Sequence, residues 1–86
     1  GITMLKIFYL KNCPYCKKAQ KYLDIHRPDF PNIMIQMIEE SEQAELANQY
    51  DYCYVPSYFY NEEKLHEGSI TEEELLNILK SIQKSL

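Results

Sequence analysis

Two cysteines three positions apart, Cys13 and Cys16, lie where a short apolar segment gives way to a segment with helical periodicity. The preceding segment TMLKIFYL (3–10) is aliphatic and aromatic on both faces apart from Lys6, which predicts a buried central strand. Pro14 suits the first position of a helix, where its missing N–H costs nothing. A thiol pair at a strand-to-helix junction therefore constrains both the fold and the chemistry.

The pattern after Pro14 predicts a helix and then a second strand. The inward stripe of that helix is Cys16, Ala19, Leu23 and His26. Two prolines within RPDFPN (27–32) end the helix, and the apolar run NIMIQMI (32–38) predicts a strand parallel to the first. A strand, a crossover helix and a parallel strand together form a βαβ unit.

The second half of the chain completes the predicted α/β fold. Its elements are a helix over 41–51, two strands over 55–60 and 64–68 that form a hairpin turning around 61–63, and a helix over 71–86. Ser41 is the predicted N-cap of the first helix, and Thr71 with Glu74 forms a capping box for the last. The order βαβ-α-ββ-α predicts a four-stranded mixed sheet flanked by helices, in a single domain over residues 1–86.

Composition bounds the classes of function. The 86 residues are 45% apolar and 26% charged, with no apolar run near the roughly 18 to 20 residues that cross a bilayer, so no membrane partner is expected. The net charge of −4 argues against nucleic acid as a partner, because neutralising phosphates needs a broad basic surface. Three cysteines and no signal-peptide pattern favour the cytoplasm, and we expect a monomer. Residues 1–3, ahead of Met4, are interpreted as a vector-derived remnant.

The position of the cysteine pair gives its two sulfurs different chemistry. Cys13, at the start of the helix, faces unpaired backbone N–H groups and the positive end of the helix dipole, which favour the thiolate. Cys16 lies one turn further on and is shielded. We therefore expect Cys13 to attack a disulfide and Cys16 to resolve the mixed disulfide. The neighbouring lysines, interpreted as a solvated helix face or as a source of positive potential at the pair, are Lys17, Lys18 and Lys21.

Two other uses of the pair stay open. A zinc site wants four ligands, and beyond the pair only Cys53, His26 and His66 remain, so no metal site is predicted. The first alternative is a module of the same fold that holds a metal or an iron–sulfur cluster through its cysteines. The second is a redox-inactive interaction domain with a vestigial site. A purely structural disulfide is disfavoured, because across so short a loop it would constrain little of the unfolded chain.

These motifs together resemble a known family. The stretch Cys-Pro-Tyr-Cys (13–16) resembles the active site of the dithiol glutaredoxins within the thioredoxin superfamily. Val55-Pro56 resembles the cis-proline element of that superfamily, and Gly68 falls where the family places a glycine between its fourth strand and last helix. The resemblance implies a thioredoxin/glutaredoxin fold. It also implies a thiol–disulfide oxidoreductase that reduces protein or low-molecular-weight disulfides through its cysteine couple.

The resemblance also implies roles for residues around the sulfurs. Val55 is expected to pair its backbone with the cysteine of a bound substrate, and Pro56 to shape that segment. Lys11 is a candidate contact for a substrate carboxylate, and Tyr15 offers a flat amphipathic surface beside the pair. The residues with expected structural roles are Pro14 and Gly68.

Six further side chains are interpreted without a catalytic role. Cys53 is expected to be a small buried hydrophobic residue, with a regulatory thiol as the alternative. The tyrosines expected to pack on strands are Tyr54, Tyr58 and Tyr60. Both histidines, His26 and His66, are expected to be structural.

The segment before the last helix leaves the electron source open. Typical glutaredoxins carry two glycines followed by acidic residues there, which hold glutathione. Here residues 67–71 read Glu-Gly-Ser-Ile-Thr, with one glycine and no aspartate, and resemble the end of a thioredoxin. The expected partners are disulfide-containing proteins or glutathione, with either glutathione or a thioredoxin reductase as reductant and no tightly bound cofactor.

Overall fold

The computed structural model describes residues 4–86 and contains, within that range, four strands and three α-helices. The strands are β1 (Met4–Tyr9), β2 (Met34–Glu39), β3 (Ser57–Tyr60) and β4 (Glu63–Glu67). The helices are α1 (Pro14–His26), α2 (Ala44–Ala47) and α3 (Glu72–Lys84), with a short 3-10 turn directly after α1. The predicted vector-derived remnant and the first residue of the predicted first strand lie outside the described residues.

The four strands form one mixed sheet in the order β2-β1-β3-β4. β1 pairs in parallel with β2, with Ile7 opposite Met37, and antiparallel with β3, with Ile7 opposite Tyr58. β4 pairs antiparallel with β3, and the register shifts between Tyr58 and Phe59. The predicted α/β fold, with its four-stranded mixed sheet flanked by helices, is confirmed.

Alternation along the strands gives the sheet two apolar faces. The face covered by α1 and α3 contains the buried residues Leu5, Ile7, Leu23, Tyr58, Leu75 and Leu79. The opposite face contains Phe8, Ile38, Ala47 and Phe59, covered by α2 and by the partly buried rings of Tyr50 and Tyr52. β1 is thus buried on both faces, as predicted, and it anchors the loop that carries the two cysteines.

The two long helices begin where their sequences predict. Pro14 occupies the first turn of α1, directly after the N-cap residue Cys13. At the start of α3, the Thr71 hydroxyl accepts a hydrogen bond from the Glu74 N–H at 3.0 Å, and the Glu74 carboxylate accepts one from the Thr71 N–H at 3.0 Å. The capping box is therefore confirmed.

The helix predicted over 41–51 is wrong in both length and cap. α2 spans only Ala44–Ala47, and Gln43 stands at its N-cap without a side-chain hydrogen bond. Ser41 does not cap it, because the Ser41 N–H and hydroxyl both donate to the same oxygen of Glu39, each at 2.6 Å. The local hydrogen bonds to a carboxylate from the preceding strand thus replace the predicted first turn.

The predicted hairpin is present, with a tighter turn than expected. Asn61 and Glu62 form the turn between β3 and β4, with φ angles of 50° and 69°. Two successive positive φ angles are typical of a two-residue type I′ turn, whose twist matches that of the flanking strands. Glu63, expected in the turn, already belongs to β4.

Within residues 4–86, every helix is too short or too polar to span a membrane.

Candidate active site

Cys13 lies at the end of the loop between β1 and α1, at the N-cap position of the helix. Its sulfur accepts a hydrogen bond from the Cys16 N–H at 3.3 Å, and its thiol donates a long one to the Val55 carbonyl at 4.0 Å. The side chain is half-buried, and the first turn of α1 contains no acidic residue. The first turn of a helix has backbone N–H groups without intrahelical partners, and the Cys13 sulfur accepts a hydrogen bond from one of them.

Cys16 lies behind Cys13, on the side of α1 that faces the sheet. Its side chain is only 5% exposed, and burial raises its pKa to about 12. The hydrogen bond and the charge of Cys13 add to that increase in pKa. Both residues are free thiols. The pair therefore consists of one accessible sulfur and one that is shielded and resists ionisation.

The segment opposite the cysteines is held by a cis-proline and a glycine. The Val55–Pro56 peptide bond is cis, as the resemblance implied, and Pro56 is buried. The Pro56 carbonyl accepts a hydrogen bond from the Gly68 N–H at 2.8 Å. Gly68 has a φ of +87°, which an L side chain rarely adopts, so a glycine is required at this point after β4. This arrangement fixes the backbone of Val55 beside the sulfur of Cys13.

A carboxylate from β4 holds the residues that precede the cis-proline. Glu67 accepts hydrogen bonds from the N–H groups of Cys53 and Tyr54, at 2.6 Å and 3.1 Å, and from the Lys64 ammonium at 2.7 Å. The Lys64 hydrogen bond and these backbone donors lower the pKa of Glu67 to about 2. An ionised Glu67 thus ties the loop that carries Val55 to the sheet.

Two predictions in this loop are wrong. Cys53 is exposed rather than buried. Tyr54 does not pack on a strand: it precedes β3 and is 69% exposed. Both residues lie in the loop before β3, where their backbone N–H groups donate to Glu67 and do not pair in the sheet. Tyr58 lies on β3 as predicted and is fully buried, while Tyr60 is partly buried.

Lys11 and the loop before the cysteines are held by two other carboxylates. The Lys11 ammonium forms an ion pair with Glu42, which raises the pKa of Lys11, and its side chain remains 62% exposed. The Lys11 N–H donates to the buried carboxylate of Glu39 at 3.0 Å. The Ser41 hydroxyl and the Lys11 N–H lower the pKa of Glu39, so this carboxylate stays ionised and joins the end of β2 to the cysteine loop.

Tyr15 lies between the two cysteines and is 57% exposed. It lines an open groove with Lys18 and Tyr22 of α1 and with the segment 69–72 at the start of α3. The exposed ring of Tyr15 and the adjacent backbone offer a surface for a peptide or a thiol.

Three site features escape the sequence prediction. Glu39 and Glu67 are two of many acidic residues in the second half of the chain, and no sequence pattern distinguishes them from acidic residues exposed to solvent. The hydroxyl of Tyr58 is buried beside Cys16, whereas the sequence indicates only that its ring packs inward. Glu39 directly follows an apolar run, which is the one local signal that could have indicated its position at the end of a central strand.

The histidines have structural roles, as expected. His26 lies 2.7 Å from a carboxylate oxygen of Glu72, and His66 binds the carbonyl of Ser69 at 2.8 Å. Within residues 4–86, no three His, Cys, Asp or Glu side chains come together as ligands for a metal ion.

Comparison with known proteins identifies the family. A family model described as a thioredoxin domain matches residues 3–80. No curated protein sequence matches the chain. The oxidised thioredoxin from Plasmodium falciparum superposes with a TM-score of 0.80 at 10% identity, covering 96% of this chain and 83% of that chain.

Two further solved structures have the same fold. The germline-specific thioredoxin Deadhead from Drosophila melanogaster gives a TM-score of 0.76 at 18% identity, covering 93% of this chain and 80% of its own. A mutant thioredoxin from Halobacterium salinarum gives 0.75 at 21% identity, covering 94% and 74%. The predicted membership of the thioredoxin superfamily is confirmed, while the glutaredoxin specificity stays a prediction. The chain belongs to the thioredoxin domain family, which supports a thiol–disulfide redox function in general.

Proposed function

We propose that this protein is a thiol–disulfide oxidoreductase that reduces disulfides through Cys13 and Cys16. The observation that carries the proposal is the asymmetry of the pair. The Cys13 sulfur is accessible and accepts a backbone N–H at 3.3 Å, whereas Cys16 is 5% exposed behind it. An enzyme that attacks with one thiol and resolves with the other needs this difference in accessibility and ionisation.

The reaction proceeds in two exchanges. The Cys13 thiolate attacks one sulfur of a substrate disulfide, a bond forms between them, and the other substrate sulfur leaves with the electron pair and takes up a proton. Cys16 then loses its proton and attacks the Cys13 sulfur. This step forms the Cys13–Cys16 disulfide and releases the second substrate thiol. The substrate is reduced by two electrons, and the protein is oxidised by two.

The backbone of Val55 supports a position for the substrate. Its carbonyl lies 4.0 Å from the Cys13 sulfur, in a segment fixed by Pro56 and by the hydrogen bonds to Glu67. An extended substrate segment that pairs with this backbone brings its own cysteine next to Cys13. The exposed ring of Tyr15 flanks the same position.

The test is a matched set of serine variants. Cys13→Ser is expected to abolish reduction of insulin disulfides, because the attacking sulfur is gone. Cys16→Ser is expected to lose turnover but to accumulate a mixed disulfide, detected as a mass increase that dithiothreitol reverses. Cys53→Ser is the control and should retain wild-type turnover. Full activity of Cys13→Ser would refute the assignment.

We further propose that a protein reductase of the thioredoxin reductase type, rather than glutathione, regenerates the dithiol in the cytoplasm. Two features support this choice. The ammonium of Lys11, the residue expected to bind a substrate carboxylate, is already paired with Glu42. The segment 67–71 has a single glycine and no aspartate, unlike the two glycines and following acidic residues that hold glutathione in typical glutaredoxins, and its one acid, Glu67, is already bound by Lys64 and two backbone N–H groups.

Parallel assays decide the electron source. One couples the protein to glutathione and glutathione reductase, and the other to thioredoxin reductase, with NADPH consumption as the common readout. Turnover with thioredoxin reductase alone is expected. Lys11→Met should leave that turnover unchanged, because its partner Glu42 lies on the surface. Turnover with glutathione that Lys11→Met abolishes would instead support the glutaredoxin branch.

A further inference from the structure

The hydroxyl of Tyr58 is a buried polar group without an explanation in the packing. Tyr58 is 0% exposed, and within residues 4–86 its hydroxyl oxygen has no hydrogen-bond partner. Buried polar groups in folded proteins are nearly always paired with protein or with ordered water. A phenylalanine would fill the same space without the cost of an unpaired hydroxyl, so the oxygen requires a function or a partner.

Tyr58 and Cys16 line the same small cavity, beneath α1 and between β1 and β3. Its volume is about 10 Å³, which is close to the space that one water molecule needs. The polar residues in its wall are Tyr9, Cys16, Gln20 and Tyr58. The remaining wall is apolar and includes Ile7, Leu23 and Met37. A water in this position would have Tyr58 and Cys16 as neighbours and would satisfy the orphan hydroxyl.

The two side chains have complementary roles in the resolving step. Cys16 must lose a proton in a site whose burial raises its pKa to about 12. Burial also raises the pKa of Tyr58, and a negative charge on Cys16 raises it further. Tyr58 therefore stays protonated while Cys16 ionises, so its hydroxyl is a hydrogen-bond donor and not a base. A donor stabilises a buried thiolate.

We propose that the Tyr58 hydroxyl, through one water held in this cavity, donates a hydrogen bond to the Cys16 sulfur and stabilises the thiolate that resolves the mixed disulfide. This inference rests on the proposed function. Tyr58 is a positioning residue, because it touches neither the substrate nor the reacting bond. It holds the water that solvates the one sulfur the fold keeps away from solvent.

The resolving step balances as follows. The Cys16 thiol loses its proton to solvent, its electron pair forms the bond to the Cys13 sulfur, and the bond between Cys13 and the substrate sulfur breaks. The substrate sulfur leaves with that electron pair and takes up one proton. The hydrogen bond from the cavity water compensates the negative charge on Cys16 during this exchange, and Tyr58 itself neither gains nor loses a proton.

Other titratable groups near the pair belong to several elements. They are Cys13 of the β1–α1 loop, Tyr9 of β1, Glu40 after β2, and His66 of β4, whose ring centroid lies 6.0 Å from that of Tyr58. The charge of Glu40 raises the pKa of Cys16 and therefore opposes ionisation. His66 binds the Ser69 carbonyl rather than either sulfur. A hydrogen bond from the Leu10 backbone lowers the pKa of Cys16 and partly offsets burial. Of the other polar side chains that line the cavity, Tyr58 is buried, whereas Tyr9 and Gln20 are partly exposed.

The test separates attack from resolution with 5,5′-dithiobis(2-nitrobenzoate) in a Cys53→Ser background. Attack by Cys13 releases a first thionitrobenzoate, and resolution by Cys16 releases a second, so the two steps appear as two phases. Tyr58→Phe is expected to leave the first phase unchanged. Loss of the hydrogen bond raises the pKa of Cys16 by about one unit and so lowers the fraction of thiolate. The greater nucleophilicity of the more basic thiolate partly compensates this loss. The second phase should therefore slow by about three- to fourfold.

A pH profile distinguishes this role from a packing defect. In the pH range where both proteins stay folded, the second-phase rate should rise with pH and stay about three- to fourfold lower in Tyr58→Phe, whereas a loosened core would expose Cys16, lower its pKa and make the second phase faster. Tyr60→Phe, on the same strand and with its hydroxyl 3.3 Å from that of Ser85, is the matched control and should leave both phases unchanged. An unchanged second phase and profile in Tyr58→Phe would overturn the inference. Absence of a second phase in the Cys53→Ser parent would instead refute the proposed function.

A crystal structure of the reduced wild-type protein provides a second test that needs no variant. A water within hydrogen-bond distance of both the Tyr58 oxygen and the Cys16 sulfur is expected. An empty cavity would overturn the inference even if Tyr58→Phe failed to fold.

Discussion

The shielding of Cys16 leads to a prediction about its reactivity as an isolated thiol. In the double variant Cys13→Ser/Cys53→Ser, Cys16 is the sole cysteine and remains on the buried side of α1. Burial is the largest cause of its raised pKa, so most of that increase should persist when Cys13 is replaced. The variant therefore isolates the effect of burial on one sulfur.

The expected protection is worked out from the pKa. At about pH 8, a thiol with a pKa of about 12 is ionised in roughly one molecule in ten thousand, against about one in four for an ordinary thiol near 8.5. The ionised fraction of Cys16 is thus lower by roughly two-thousandfold, and the greater nucleophilicity of the more basic thiolate offsets about fortyfold of that difference. The net slowing is about fiftyfold, and we expect at least about tenfold once the contribution of Cys13 is removed.

The assay is alkylation by iodoacetamide at about pH 8, followed by mass spectrometry of the intact protein. The rate in the native double variant is compared with the rate of the same protein in concentrated guanidinium chloride, where Cys16 is exposed. Cys16→Ser/Cys53→Ser, which retains only Cys13, is the control and should react rapidly when native. Equal rates for Cys16 in the native and unfolded protein would refute the shielding.

The same raised pKa predicts a loss of stability at high pH. The folded protein retains the Cys16 proton more tightly than the unfolded chain, so this contribution to stability is complete below about pH 8.5 and is lost as pH rises toward 12. The slope is at most about 1.4 kcal/mol per pH unit. Cys16→Ala should reduce the loss between those limits, measured by urea denaturation in a series of alkaline buffers.

Three further predictions concern the loops and the last helix. The pKa of the Glu67 carboxylate is lowered to about 2, so its contribution to stability is complete above about pH 4.5 and is lost as pH falls. Glu67→Gln should lower the Tm at neutral pH and flatten the acid dependence of Tm between those limits. An acid dependence like that of wild type would contradict this. Thr71→Ala should cost about 1 kcal/mol in urea unfolding, against at most about 0.5 kcal/mol for the exposed mid-helix control Ser81→Ala, and equal losses would argue against the cap. Gly68→Ala should cost about 1–2 kcal/mol, because a side chain is strained at a φ of +87°. The new Cβ would cause no clash, since it would meet only the Tyr54 Cβ at an ordinary 3.7 Å. A neutral effect on the urea midpoint would show that the backbone relaxes.

The parts of the fold that could be predicted from the sequence depend on local signals. α1 follows from a proline at its first position and a three- and four-residue apolar spacing, and α3 from a capping box that the structure reproduces. β1 follows from an apolar run buried on both faces. Each of these signals involves residues within one turn or one strand of each other, so no knowledge of tertiary contacts is needed.

The parts that could not be predicted depend on contacts between distant segments. Ser41 has the residue type of an N-cap, but a carboxylate at the end of β2 binds it first and shortens the helix. Tyr54 has the residue type of a strand, but its N–H donates to Glu67, 13 positions away, in the loop before β3, and its side chain is exposed. The cavity beside Cys16 is formed by residues from separate strands and helices, and its volume depends on how they meet.

The Asn61–Glu62 turn lies at the far end of β3 from the cysteines. Ser57, at the start of β3, pairs with Phe8 near the cysteine loop, while Tyr60, before the turn, pairs with Leu5 at the other end of β1. Because the strand rises about 3.3 Å per residue, the turn stands more than about 10 Å from the reactive sulfurs along the sheet. A fluorescent label, an affinity tag or new chain termini placed there would report on or immobilise the protein while leaving its chemistry undisturbed.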